Sequence, residues 1–173
     1  LAEAPADTTT GLLYSLHSFG NFLLYPWEGR QEPAPNDAAL TTLARRIGHL
    51  TGYRACQNGR MNAPGTTDDF AYGELGVAGY TLEMGTTFFE SCDAFEQTVL
   101  PGALAALRYG AKAARRPYLE PAGPEVLDIL LPPAPVPAGA PATVVATVDA
   151  TRFSSDDCGS ESFERPTVVA YAI

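Results

Sequence analysis

Apolar residues gather in short runs near the start of the chain. GLLYSLH at residues 11–17 reads as a buried strand, and FLLYPW at 22–27 as a second extended piece, with Pro26 ending its pairing. EGRQEPAPND reads as a loop. Beyond it Leu40, Leu43, Ile47 and Leu50 step by three and four, the spacing of one helical face. A helix over 37–51 follows, with Asn36 or Asp37 as N-cap and Gly52 as its stop. From Tyr53 to Gly65 no period is visible. The Asn58-Gly59 and Pro64-Gly65 turn signals make this an irregular loop, of a length that tends to be functional or disordered.

The stretch Gly65–Glu83, GTTDDFAYGELGVAGYTLE, opens with a turn, passes through an aromatic loop and enters a strand over 77–84. Glu83 lies at the end of that apolar strand. An unpaired carboxylate is costly to bury, so Glu83 either reaches solvent there or serves a site. After FFESCDAF a helix is predicted with Pro101 in its first turn. Lys112, Arg115 and Arg116 lie near its C-terminus, where they suit the helix dipole, and Pro117 stops it. Strand, helix, loop, strand and helix in succession favour an α/β domain with helices packed on a sheet, and only half of one. From residue 124 the texture becomes β-rich with proline and glycine: VLDILL, ATVVATVDA and TVVAYAI read as about three strands of a sandwich-like module.

With 46% hydrophobic and 18% charged residues, the composition is that of a globular protein. The net charge of −9 argues against a nucleic-acid surface, which needs a basic face. No apolar run is long enough to span a membrane, and LAEAPADTTT lacks the basic and apolar regions of a signal peptide. Cys56, Cys92 and Cys158 stand far apart without a CxxC pair. One disulfide with a cysteine left over suits a secreted protein; three reduced thiols are the alternative.

The two histidines give little chemistry by themselves. His17 ends the first strand, and His49 lies near the C-terminus of the helix. No HxxE, HExxH or HxH pair occurs, so this sequence does not assemble the three protein ligands of a catalytic zinc. GxSxG, P-loop and GxGxxG motifs are also missing. His17 has Ser15 and Ser18 nearby, but neighbours on a strand are expected to point to opposite faces. Asp68 and Asp69, being adjacent, are not expected to converge on one target.

SLHSFGNFLLYPW, GTTDDFAYGELGVAGYTLEMG and AKAARRPYLEPAGP together resemble the C-terminal half of a zinc metallocarboxypeptidase of the carboxypeptidase A/B type, over about residues 9–124. The fold implied is α/β: the C-terminal half of a mixed-sheet α/β/α catalytic domain over 1–123. A partial antiparallel β-sandwich of immunoglobulin-like type would follow over 124–173, like the module that follows the catalytic domain in some bacterial secreted members. The resemblance implies Zn2+ as cofactor, peptide or protein C-termini as substrates, secretion, and a missing N-terminal half that carries two further zinc ligands. It puts His17 on the third zinc ligand and the Ser18–Phe19 bond where the family often has a cis peptide beside the substrate. Glu83 falls on the glutamate that activates the zinc-bound water and then protonates the leaving amine. Asp68 falls at the base of the specificity pocket, where an acid goes with C-terminal Lys or Arg.

The sequence departs from the family where a mobile tyrosine caps the substrate. Counting back 22 positions from Glu83 reaches Met61, which has no hydroxyl, and Tyr53 replaces it only if the loop is re-routed. A catalytically impaired, peptide-binding relative is therefore the alternative, and a structural subunit completed by another chain is a weaker third. A Cys56–Cys92 disulfide would pin the substrate loop to the sheet, leaving Cys158 to pair outside the chain.

Overall fold

The computed structural model describes residues 3–57, 63–122 and 125–149, and the strands at 153–155, 161–163 and 167–172. Its first sheet has four strands: β1 (Leu12–His17), β2 (Phe22–Tyr25), β3 (Arg54–Gln57) and β4 (Ala78–Glu83). They lie in the order β1-β4-β2-β3. β1 and β4 run parallel, as do β2 and β3, while β2 and β4 are antiparallel. The sheet is therefore mixed, as the sequence implied.

Helix α1 (Asp37–Thr51) has the predicted bounds. Asn36 is its N-cap, and Gly52 ends it at φ 74°, a left-handed conformation that glycine adopts without strain. Leu40, Leu43 and Ile47 are fully buried and join Leu23, Tyr25, Tyr80 and Leu82 in one core. The Tyr80 hydroxyl donates to the Leu40 carbonyl at 3.0 Å, satisfying a fully buried phenol. Helix α4 (Leu100–Ala113) adds Ala106 and Ala113 to that core. Tyr14 donates to the Ala106 carbonyl at 3.2 Å, and its ring lies where a Cβ on Gly110 would project, so α4 needs glycine there.

Two local expectations are corrected. The irregular segment after Tyr53 contains β3, a four-residue strand supported by its parallel pairing with β2. The aromatic loop of the GTTDDF stretch is helix α2 (Thr67–Leu75). Thr66 caps it by accepting from the Asp69 N–H at 3.4 Å, and Asp68 and Asp69 sit in the first turn, where acids suit the dipole. Pro101 lies in the first turn of α4, as expected, and the helical run also extends N-terminal to it. The helical run starts with α3 (Cys92–Ala94) and passes through a π-helical segment (Phe95–Val99) into α4. A proline lacks the N–H for an i−4 bond and crowds that carbonyl, which the wider π turn just before it relieves.

Beyond Pro117 a short 3-10 turn (Glu120–Ala122) precedes five strands, where about three were expected. β5 (Glu125–Leu130), β6 (Thr143–Asp149) and β9 (Thr167–Ala172) form one antiparallel sheet in the order β5-β6-β9. β7 (Phe153–Ser155) and β8 (Glu161–Phe163) pair as a second. No helix among the described residues is long and apolar enough to cross a membrane.

Candidate active site

The pleat sorts the sheet's side chains onto two faces. Tyr14, Tyr80 and Leu82 join the core with α1 and α4, so Ser15, His17, Gly79, Thr81 and Glu83 project from the other face. α2 rests on that other face. A Cβ added to Gly79 would lie 2.8 Å from the Asp68 Cα and 3.0 Å from its Cβ, an approach only glycine allows. Asp68 is thereby carried to the same side of the sheet as His17 and Glu83.

His17 and Glu83 are direct partners in the β1–β4 register, both at the C-terminal ends of their strands. His17 is exposed and Glu83 partly buried. Burial raises the Glu83 carboxyl above its ordinary value, and the neighbouring His17 partly offsets this. The Nε2 of His17 lies 3.0 Å from Ser15 Oγ. The expectation that neighbouring serines face away holds for residues one apart, but Ser15 is two apart and shares the face. Sequence reasoning therefore passed over Ser15.

The chain leaves His17 through a cis Ser18–Phe19 bond, the geometry implied by the resemblance; Pro26–Trp27 is also cis. Ser18 Oγ donates to the Phe88 carbonyl at 3.5 Å, and the Phe19 ring meets Phe88 edge-on at 4.9 Å. Leu16, His17, Ser18, Met84, Phe88 and Phe89 line an open cavity of about 420 Å³. An imidazole at the rim of an apolar recess, with a carboxylate beside it, suits a substrate whose side chains and backbone need separate recognition.

Asp68 is fully buried, and neither of its carboxyl oxygens has a hydrogen-bond donor among the described residues. Its neighbour is Glu28, only 3% exposed, in the loop after β2. Burial pushes the Glu28 carboxyl up to about 9, with further upward contributions from a hydrogen bond to Asp68 and the charges of Asp68, Asp69 and Glu83. Two ionised carboxylates offer each other no donor. With one proton on Glu28, it donates to Asp68. Asp69 points elsewhere, accepting from the backbone N–H groups of Glu28 and Gly29 at 2.9 and 3.1 Å. Adjacent acids on α2 thus serve different targets, and Asp69 holds the loop that brings Glu28 to Asp68. Nothing in WEGRQEP marked Glu28 as a site residue.

His17 fits as one zinc ligand, since with Nε2 bonded to Ser15 its Nδ1 remains a donor of the right kind. Among the described residues no group of three or more His, Cys, Asp or Glu side chains comes together to hold a metal ion. Met61 lies outside the described residues. Tyr53 is 7% exposed, with its phenol bonded by the Gly85 backbone. The expected Cys56–Cys92 bridge is not formed. Cys92 is a free, exposed thiol, so it is not the disulfide partner of Cys56. Cys158 lies outside the described residues.

This face brings together a histidine and a glutamate paired at strand ends and a buried aspartate. The family model for zinc carboxypeptidase matches residues 3–99. That span covers more than half the chain and includes His17, Asp68 and Glu83, and the chain belongs to the zinc carboxypeptidase family. No curated protein matches it.

Proposed function

We propose that this chain is the catalytic C-terminal half of a secreted, zinc-dependent carboxypeptidase that releases C-terminal residues and favours Lys or Arg. The observation that carries the reading is the register pairing of His17 with Glu83 on the face that α2 covers with Asp68. Zinc, held in part by His17, supplies electrophilic polarisation of the scissile carbonyl when bound. Glu83, its carboxyl raised by burial, is suited to take a proton from the attacking water and return it to the leaving amine. Asp68 offers a buried negative charge to a cationic side chain. The disulfide at Cys56 supports an oxidising compartment. Because His17 is a single ligand, the residues described here need the rest of the domain for activity.

The test is release of C-terminal residues by the full-length protein, followed by mass spectrometry. Glu83→Gln should lower kcat by about 10²–10⁴ with little change in KM, the usual scale for losing a positioned acid–base group. His17→Ala should lose zinc. Full activity in Glu83→Gln would overturn the reading. Met61 at the capping position favours a second reading, a peptide-binding relative with impaired catalysis; a wild-type protein that binds peptides without trimming them would support it.

A further inference from the structure

Phe88 and Phe89 are 68% and 94% exposed, and both line the recess beside His17. Exposed aromatic rings gathered on one recess mark a surface that meets a ligand or partner. They sit on the segment 84–90, which follows β4 and is neither helix nor strand. The start of that segment is stitched to the chain around His17. The Met84 N–H donates to the His17 carbonyl at 2.9 Å, and the Gly20 N–H donates to the Gly85 carbonyl at 2.9 Å. Its far end is closed by Glu90, whose Oε1 accepts from the Thr86 N–H at 2.6 Å, the Thr86 hydroxyl at 2.9 Å and the Thr87 N–H at 3.3 Å. Hydrogen bonds to an ionised acceptor are the strong ones, and these, the Thr86 N–H foremost, hold the Glu90 carboxyl below its ordinary value. Gly85 makes room for this clasp: at φ 79° a Cβ on it would lie 2.8 Å from Glu90 Oε1.

We infer that Glu90 is a positioning residue: its carboxylate closes the 85–90 loop and holds Phe88 and Phe89 as a fixed wall, against which an apolar side chain of the bound peptide packs. The inference rests on the reading of this face as a peptidase site. Asp68 is not among the residues that line the recess. With the departing C-terminal side chain at Asp68, the recess is left to the residue before the bond that is cut. Phe88 meets the turn after His17 at two points, the Ser18 hydroxyl on its carbonyl at 3.5 Å and the Phe19 ring at 4.9 Å. Both ties are weak, since the first is long for a hydrogen bond and the second is one ring contact. Holding exposed rings in one place costs conformational entropy, and the three bonds to Glu90 offset it. Glu90 thus acts through the loop and touches none of the reacting atoms.

Two readouts on the full-length protein test this. The first is hydrogen exchange of residues 84–90, followed by mass spectrometry. In Glu90→Ala this segment should exchange about tenfold faster than in wild type, because the Thr86 and Thr87 N–H groups lose their acceptor. Glu90→Gln keeps an acceptor oxygen and should fall between the two. The second readout is kcat and KM for peptides that end in lysine and carry phenylalanine or glycine before it. In Glu90→Ala the preference for phenylalanine should fall about three- to tenfold, the scale of one aromatic contact, and the change should lie in KM. Zinc content and the rate on the glycine peptide should hold. Exchange that is equal in wild type and Glu90→Ala would overturn the clasp, and an unchanged phenylalanine preference would overturn the positioning role. Zinc content and both rates falling together would show a structural role only, and overturn it as well. Each of these results leaves the functional reading standing. A wild type that trims neither peptide overturns that reading, and this inference with it.

Discussion

Replacing Glu28 by glutamine should flatten the decline in stability as pH rises from 4.5 to 7. The ordinary value of the Glu28 carboxyl is 4.5, and in the folded protein burial and its acidic neighbours raise it to about 9. Between those values the folded state keeps a proton that the unfolded state has released. The unfolded state binds fewer protons, so stability is fully present below pH 4.5 and is lost as pH rises toward 9. At about 1.4 kcal/mol per pH unit, the loss by pH 7 has a ceiling of about 3 kcal/mol. Glu28 is buried but close to the molecular surface, where solvent screening reduces such effects, so about 1–2 kcal/mol is expected. Glutamine keeps an N–H donor for Asp68 and does not titrate. Urea unfolding of wild type and Glu28→Gln at pH 5, 6, 7 and 8 reads the difference, since the other raised acids, Asp37 and Glu83, are common to both. Curves that run parallel across that range would refute the reasoning.

Two structural predictions accompany it. Asp69→Ala removes two charged hydrogen bonds to the Glu28 and Gly29 N–H groups and should cost about 2–4 kcal/mol by chemical denaturation. Gly110→Ala drives a methyl group into the Tyr14 ring and should cost about 1–3 kcal/mol, with a lower melting temperature and unchanged zinc content.

Periodicity revealed α1 because Leu40, Leu43 and Ile47 all point into one core. It missed α2, whose short span mixes buried Ala71 and Tyr72 with an exposed Phe70 and so has no clean apolar stripe. The signal that was present is local: Thr66 followed three residues later by Asp69, a helix-start pattern that the structure realises. β3 is four residues, RACQ, too short and too polar to show alternation, and it exists because β2 has an edge to offer. Glu83 was visible because a carboxylate ending an apolar strand is conspicuous, and His17 because the family resemblance located it. Glu28 carried no local signal, since only the packing of a loop against α2, through Asp69, turns a surface-looking acid into a buried one. The misassigned Cys92 has the same origin: cysteine pairing depends on tertiary distance, which spacing along the chain does not report.

The proposed preference of this member of the zinc carboxypeptidase family for basic C-terminal residues rests on Asp68. The direct measurement is the ratio of kcat/KM for release of lysine against phenylalanine from matched peptides, in the full-length wild type and in Asp68→Ile. A wild-type ratio above one is expected, falling by about tenfold or more in Asp68→Ile, as when a charge-assisted contact is lost. A wild type that releases phenylalanine far faster than lysine, with Asp68→Ile leaving the ratio unchanged, would contradict it.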